Sequence, residues 1–340
     1  MTIVRHIIAA AALASVAAPG AAFAEEVNLY SSRQEHLIRP LLDAFTKSMG
    51  VKVNVVSAGE DALIERAKAE GANSPADVLI TVDAGRLIRA DQAGLFQPVK
   101  SAVLDAAIPA SLRDPKGDWY GLSMRARVIF YAKERVKPDD LSTYEALADP
   151  KWKGRICIRS SSNVYNQSML AALIVEDGAA KAEAWAKGIT ANMARPPAGG
   201  DRDQILAVAA GVCDIAIANT YYYAGLLQSA KEEERQAAQK VALFWPNQAG
   251  RGAHVNVSGA GVMKNAPHRE AAVKLLEFLA GDEAQRLYAE AVYEFTVKAG
   301  VAPAGVVAGF GAFKADTLSL AAIANHQAEA IRIFDRVGWR

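Results

Sequence analysis

Apolar residues recur along the chain in two rhythms that alternate with each other. Val27 and Leu29 in VNLYSS stand at strand spacing, then Leu37, Ile38, Leu41, Leu42 and Phe45 recur at helical spacing until Gly50. VKVNVV alternates as a second strand, and the helix EDALIERAKAEG stops at Gly71. DVLITVD reads as a third strand and AGRLIRADQAG as the helix after it. This strand–helix order predicts a parallel, doubly wound unit with right-handed crossovers.

The rhythm restarts later in the chain. GRICIRSS reads as a strand, VYNQSMLAALIVEDG as a helix ending at Gly178, AEAWAKGITAN and DRDQILAVAAG as further helices, and CDIAIAN as a strand running into NTYYYAGLL. Two such units predict an α/β molecule of two lobes, each on a doubly wound mixed sheet, with a hinge and a cleft between them. RVIFYAK (Arg127 to Lys133) is the expected crossing outward, and VALFWPNQ with HVNVSGAGVM the return. The boundaries that follow are 25–126 with 250–310 for lobe 1 and 127–249 for lobe 2. A C-terminal helical segment, 311–340, is expected to pack on the lobes. Before it come REAAVKLLEFLAG and DEAQRLYAEAVYEF, each read as a helix; the final helix is expected from Leu318 to Asp335.

The first 24 residues follow a different logic. Arg5 and His6 precede an apolar run from Ile7 to Val16, then Pro19-Gly20, then Ala22-Phe23-Ala24 with small residues at both ends. That is the pattern of a cleavable secretory signal, and the apolar run is shorter than the roughly 20 residues a membrane span takes. The expected location is therefore the periplasm. A net charge of +1 with no long basic run argues against nucleic acid as a partner. The chain has two cysteines, Cys157 and Cys213, and an even pair in an exported chain favours a disulfide. Each is expected on a strand leading into a tyrosine-bearing loop, where the bond would brace both loops.

Ligands of open α/β sheets collect beyond the carboxyl ends of the strands. Read from the sequence, those ends carry Tyr30-Ser31-Ser32-Arg33-Gln34, then Asp83, then Ser160 to Tyr165, then Asn219 to Tyr223. SMRARV adds Arg125 and Arg127 near the expected hinge. Phenolate oxygen is a hard anionic donor suited to a hard trivalent cation. A free phenol ionises only near pH 10, so a cation must supply most of the help. Tyr165, Tyr221 and Tyr222 are expected in the first turns of helices, where the macrodipole favours negative charge. Three phenolates would fill half of an octahedral shell, and a small dianion such as carbonate could fill the rest, held by Arg33, Gln34 and Arg125. Of the two arginines on the extended SMRARV segment, one is expected to face the cleft. Arg125 is the choice, with Arg127 as a structural ion pair. Tyr30 and Glu60 are secondary candidates, as a ligand or as a hydrogen-bond partner of one. Asp83 reads as a helix cap, Tyr223 as packing, and His36 as a surface residue.

Taken together, YSSRQ, SMRARVIFY, CIRSSSNVYNQS and CDIAIANTYYYAG resemble the ferric-iron-binding periplasmic proteins of iron ABC transporters, over essentially the whole chain beyond the signal. The resemblance implies a type II periplasmic-binding fold that closes over Fe(III) and delivers it to an inner-membrane permease with its ATPase. It places the metal-binding tyrosines on Tyr165, Tyr221 and Tyr222 and an anion, carbonate in some members, on Arg33, Gln34 and Arg125. It also implies a monomer that is not an enzyme. Many relatives carry His-Tyr after the first-strand arginine, where this chain has Gln34-Glu35. Two alternatives remain open at this point. The same fold could hold a small organic solute, such as a phosphonate or thiamine, in an aromatic box. A periplasmic hydrolase would need a nucleophile and base, for which the five histidines offer no recognisable partner motif.

Overall fold

The computed structural model describes residues 25–340, so the expected secretory signal lies outside the described residues. Eight strands are found there: β1 (Glu26–Ser31), β2 (Lys52–Ser57), β3 (Val78–Thr81), β4 (Tyr120–Ala132), β5 (Ile156–Cys157), β6 (Ile215–Asn219), β7 (Val241–Phe244) and β8 (Val255–Val262). β1 lies between β2 and β3 and is parallel to both. β3 then pairs antiparallel with β8, and β8 antiparallel with the first half of β4. From Arg127 onward β4 pairs instead with β6 and β7, and β6 runs parallel to β5. The parallel reading of the first unit thus holds for β1 to β3, and the returning β8 makes the sheet mixed.

β4 is thirteen residues long and belongs to both sheets, so it is one of the strands on which the two lobes hinge. Arg125 stands opposite Asn256 in the first sheet, and two residues later Arg127 stands opposite Asn219 in the second. Each sheet is covered by helices whose apolar faces follow the predicted spacing. Ile38, Leu41, Leu42 and Phe45 of helix Glu35–Met49 are buried against Val27 and Leu29. Gly50 ends that helix in the left-handed region, at φ 69°, where a residue without Cβ is favoured. The second lobe has its own core, with Trp152, Trp185, Ile217 and Trp339 among its members.

Three elements depart from the expected layout. The strand in GRICIRSS is only two residues long, because the chain turns at once toward the helix carrying Tyr165. The helix in DEAQRLYAEAVYEF is regular over Asp282–Leu287 and then widens into a π turn over Tyr288–Val292. Tyr293 follows in the left-handed region, at φ 61°, which turns Glu294 inward. Val306 and Val307, from the stretch expected in the first lobe, pack with Phe310 and Phe313 into a core cluster of the second lobe. The last helix, Leu320–Val337, sends Ile323, Ile333 and Phe334 into the second lobe's core and Leu320 toward the first lobe's.

Candidate metal centre

β5 and β6 are parallel neighbours, and the chain leaves both at the same end of the sheet. Helix Val164–Asp177 follows β5 after a short loop, capped by Asn163, whose side-chain oxygen accepts the Tyr165 N–H at 3.0 Å. Helix Thr220–Leu227 follows β6 with no loop at all. Tyr165 is therefore the second residue of one helix, and Tyr221 and Tyr222 are the second and third of the other. The two N-termini converge until the Tyr221 hydroxyl donates to the Tyr165 hydroxyl at 3.0 Å. The rings of Tyr221 and Tyr222 lie 4.2 Å apart, centre to centre, at 33°. Tyr223 points away, as a third consecutive residue must, and its hydroxyl is bonded to the Val241 carbonyl at 2.8 Å.

Cys157 and Cys213 are joined, with their Cα atoms 5.9 Å apart. Cys157 ends β5, while Cys213 precedes β6 rather than lying on it. The covalent tie therefore sits at the base of the two segments that present the phenols.

Burial raises the Tyr165 phenol well above its ordinary range, and the nearby Tyr222 adds to this, while the Arg125 guanidinium opposes it. Burial likewise raises Tyr221, with Tyr165 and Tyr222 adding. Both are neutral phenols at pH 7, so their ionisation waits on a cation. Arg125 and Arg159 place their guanidinium carbons 5.2 Å and 5.6 Å from the Tyr165 ring centre.

The phenols form one wall of a cleft of about 380 Å³. The loop after β1 forms the facing wall with Ser32, Arg33, Gln34 and His36. Arg33 is buried and donates to both Glu294 oxygens at 2.9 Å and to the Ser258 hydroxyl. Burial alone would raise the Glu294 carboxyl, yet Arg33, Arg125 and the Ser123 hydroxyl hold it below the usual carboxylate range. Arg33 thus reaches the cleft with its charge already matched. Arg125 donates to Ser258 at 3.1 Å and pairs with Asp83 at 3.5 Å. Gln34 stands exposed at the start of the first helix.

Two expectations about neighbours need correction. Arg125 and Arg127 do not divide between cleft and interior, because residues two apart in a strand share a face. Both line a small cavity behind Tyr165, about 10 Å³, which suits a single water molecule. Arg127 pairs there with Asp201 at 2.8 Å. Tyr30 is not brought to the other phenols. It is buried among Leu63, Ile64 and Leu79, and its hydroxyl donates to Glu70 at 2.8 Å.

Glu60 lies at the edge of the site, its carboxylate accepting the Val82 N–H at 2.8 Å; Val82 lines the cleft. Burial and the nearby Asp83 push its carboxyl up to about 7. His36 is exposed, as expected, yet it stands on the cleft wall. Glu294, Tyr293 and Arg202 also line the cleft and were not singled out by the sequence. Tyr293 and Glu294 get there through the π turn, which no spacing rule announces. Among the described residues, no three His, Cys, Asp or Glu side chains gather so as to hold a metal ion; the donors that gather are phenols.

Two lobes joined through the shared strand β4, with a cleft lined by phenols and charged groups between them, define an extracellular solute-binding protein. Residues 41–315 match the family model described as bacterial extracellular solute-binding protein, and the chain belongs to that family. It is 52% identical over 316 residues to iron uptake protein A1 of Synechocystis, covering 93% of this chain and 88% of the relative. It is 31% identical over 290 residues to the major ferric iron-binding protein of Neisseria meningitidis, covering 84% and 83%. Among solved structures, the Trichodesmium protein FutA in complex with iron and citrate superimposes with a TM-score of 0.89 at 54% identity, over 93% of this chain and all of that one. The apo ferric ion-binding protein A of Pasteurella haemolytica gives 0.88 at 44% identity, covering 93% and 98%. These structures share the type II solute-binding architecture of two lobes and a hinge.

Proposed function

We propose that the protein captures ferric iron in the periplasm and hands it to an inner-membrane ABC permease. The observation that carries this reading is the meeting of the Tyr165 and Tyr221 hydroxyls at 3.0 Å, with Tyr222 alongside, at two helix N-termini. The Tyr165 and Tyr221 phenols, neutral and half-buried with their hydroxyls meeting at one point, are poised to ionise together around a hard, highly charged cation. Three phenolates match a 3+ charge and leave coordination positions open. Arg33 and Gln34 on the cleft wall, with Arg125 behind Tyr165, are the groups placed to receive a small anion such as carbonate in those positions. The relatives named for iron uptake and ferric binding support the cargo, and the Trichodesmium complex supports an anion as co-ligand. The relatives are transport proteins, and the reading assigns this chain no catalytic step.

The test is a titration of iron-free protein with Fe(III), followed in the visible range, with and without added bicarbonate. A ferric–phenolate band that saturates at one ion per chain, and strengthens with bicarbonate, is expected. Absence of both the band and saturable binding would reject the cargo. A band indifferent to bicarbonate would reject carbonate as the partner anion.

A further inference from the structure

Asp83 caps helix Ala84–Gln92 by accepting the Gly85 N–H at 2.8 Å, as its position predicts. That bond uses only part of its capacity. The Ser168 hydroxyl lies 3.0 Å from one Asp83 oxygen and 3.1 Å from the other, within donating distance of either. The Gln327 amide donates to Ser168 at 2.9 Å and approaches Asp83 at 3.5 Å. All three side chains are buried. They come from three places: Asp83 from the end of β3 in the first lobe, Ser168 from the second lobe, and Gln327 from the C-terminal helix. Ser168 lies one helical turn beyond Tyr165, on the same helix.

A second observation points the same way. Gly85 does not have a positive φ, so its backbone does not call for glycine. Its role is room: a Cβ at position 85 would stand 2.2 Å from the Gln327 amide nitrogen. The first lobe is thus shaped to let the C-terminal helix reach Asp83. Asp83 is also the carboxylate that pairs with Arg125, whose guanidinium sits over Tyr165.

We infer that Asp83, Ser168 and Gln327 form a clamp across the lobe boundary that fixes how the helix carrying Tyr165 sits against the first lobe. Rotating the lobes apart would draw Ser168 and Gln327 from Asp83, which keeps the Gly85 N–H and Arg125, and would exchange this buried network for water, at a modest net cost for each hydrogen bond lost. The clamp therefore favours the closed arrangement, and its residues act on the site through Tyr165 and Arg125 rather than by touching an ion. That it prolongs the retention of iron rests on the function proposed above; that it holds the lobes does not.

Three variants test it without altering a phenol: Ser168→Ala, Gln327→Leu and Gly85→Ala, the last displacing Gln327 from a distance. Small-angle scattering of iron-free protein is expected to show a larger radius of gyration in each. Release of iron to a competing chelator is expected to quicken about tenfold, with the visible band unmoved because the ligands are unchanged. Folded variants, checked by circular dichroism, that keep both the wild-type radius and the wild-type release rate would overturn the clamp. Were the wild-type protein to take up no iron, the function proposed above would fail on that count. The radius of the iron-free variants would then decide the clamp by itself, an increase supporting it and no change overturning it.

Discussion

The hydroxyl oxygens of Tyr165 and Tyr221 stand 3.0 Å apart although 56 residues separate the two tyrosines in the chain. The joined cysteines, Cys157 and Cys213, are separated by the same 56 residues. Each tyrosine follows its cysteine at the same interval, so covalent tie and phenol pair are successive rungs between the same two segments. A site assembled in this way makes definite demands of its parts.

Tyr222→Phe and Tyr165→Phe each remove one phenolic hydroxyl and keep the ring. Each is expected to lower ferric-ion affinity about a hundredfold, on the order of 3 kcal/mol, and to weaken the visible band while leaving the circular dichroism spectrum unchanged. Competition against a chelator of known strength measures the loss. Wild-type affinity in Tyr222→Phe would remove that residue from the ligand set.

Metal uptake should release protons. Tyr165 and Tyr221 are held above the ordinary phenol range in the iron-free protein and are neutral at pH 7. Each must lose its proton to coordinate, so uptake frees about two protons from this pair. Affinity therefore rises with pH and falls as the medium is acidified. Proton release measured in weakly buffered solution, or affinity plotted against pH, checks the sign; a flat profile between pH 6 and 8 would contradict it.

Arg33 and Glu294 are a buried pair, and removing one partner strands the other. Arg33→Leu is expected to cost about 3–5 kcal/mol of stability in urea denaturation. The double variant Arg33→Leu with Glu294→Leu should recover much of that loss. A single variant as stable as the wild type would show that Glu294 is satisfied by Ser123 and Ser258 alone.

Glu60 offers a stability effect with a definite direction. Its carboxyl is raised to about 7 in the folded protein, against an ordinary value of 4.5. The folded state thus binds the proton more tightly than the unfolded one. This group's penalty is absent below about pH 4.5 and grows as pH climbs through 7. Glu60→Gln, which can still accept the Val82 N–H, should be about 1 kcal/mol more stable than the wild type at pH 8, the partial exposure of the group limiting the gain. The difference should vanish near pH 4. Thermal unfolding at the two pH values decides it.

What the sequence made legible was local. The tyrosines at helix starts, the even cysteine pair and the alternation of strand and helix each follow from residues near one another in the chain. The contacts that were not legible are long-range or depend on an irregular turn. Tyr30 finds Glu70 forty residues away, which alternation along one strand cannot announce. Glu294 belongs to a stretch whose apolar spacing reads as unbroken helix, and only the π turn and the left-handed Tyr293 deliver it to Arg33. Gln327 looks like an ordinary polar residue on an amphipathic helix until Gly85 is seen to leave it space. The shared face of Arg125 and Arg127, by contrast, was available from strand periodicity alone.

The bond between Cys157 and Cys213 also imposes an order of events on the life of the molecule. Disulfides persist in oxidising compartments and are kept open in the reducing cytosol. A copy still in the cytosol would carry its two phenol-bearing segments untethered, forgoing about 4 kcal/mol of stabilisation on the chain-entropy account. Such a copy is expected to be a poor scavenger of the cell's own metal pool, and on the periplasmic reading proposed above full competence would arrive only after export.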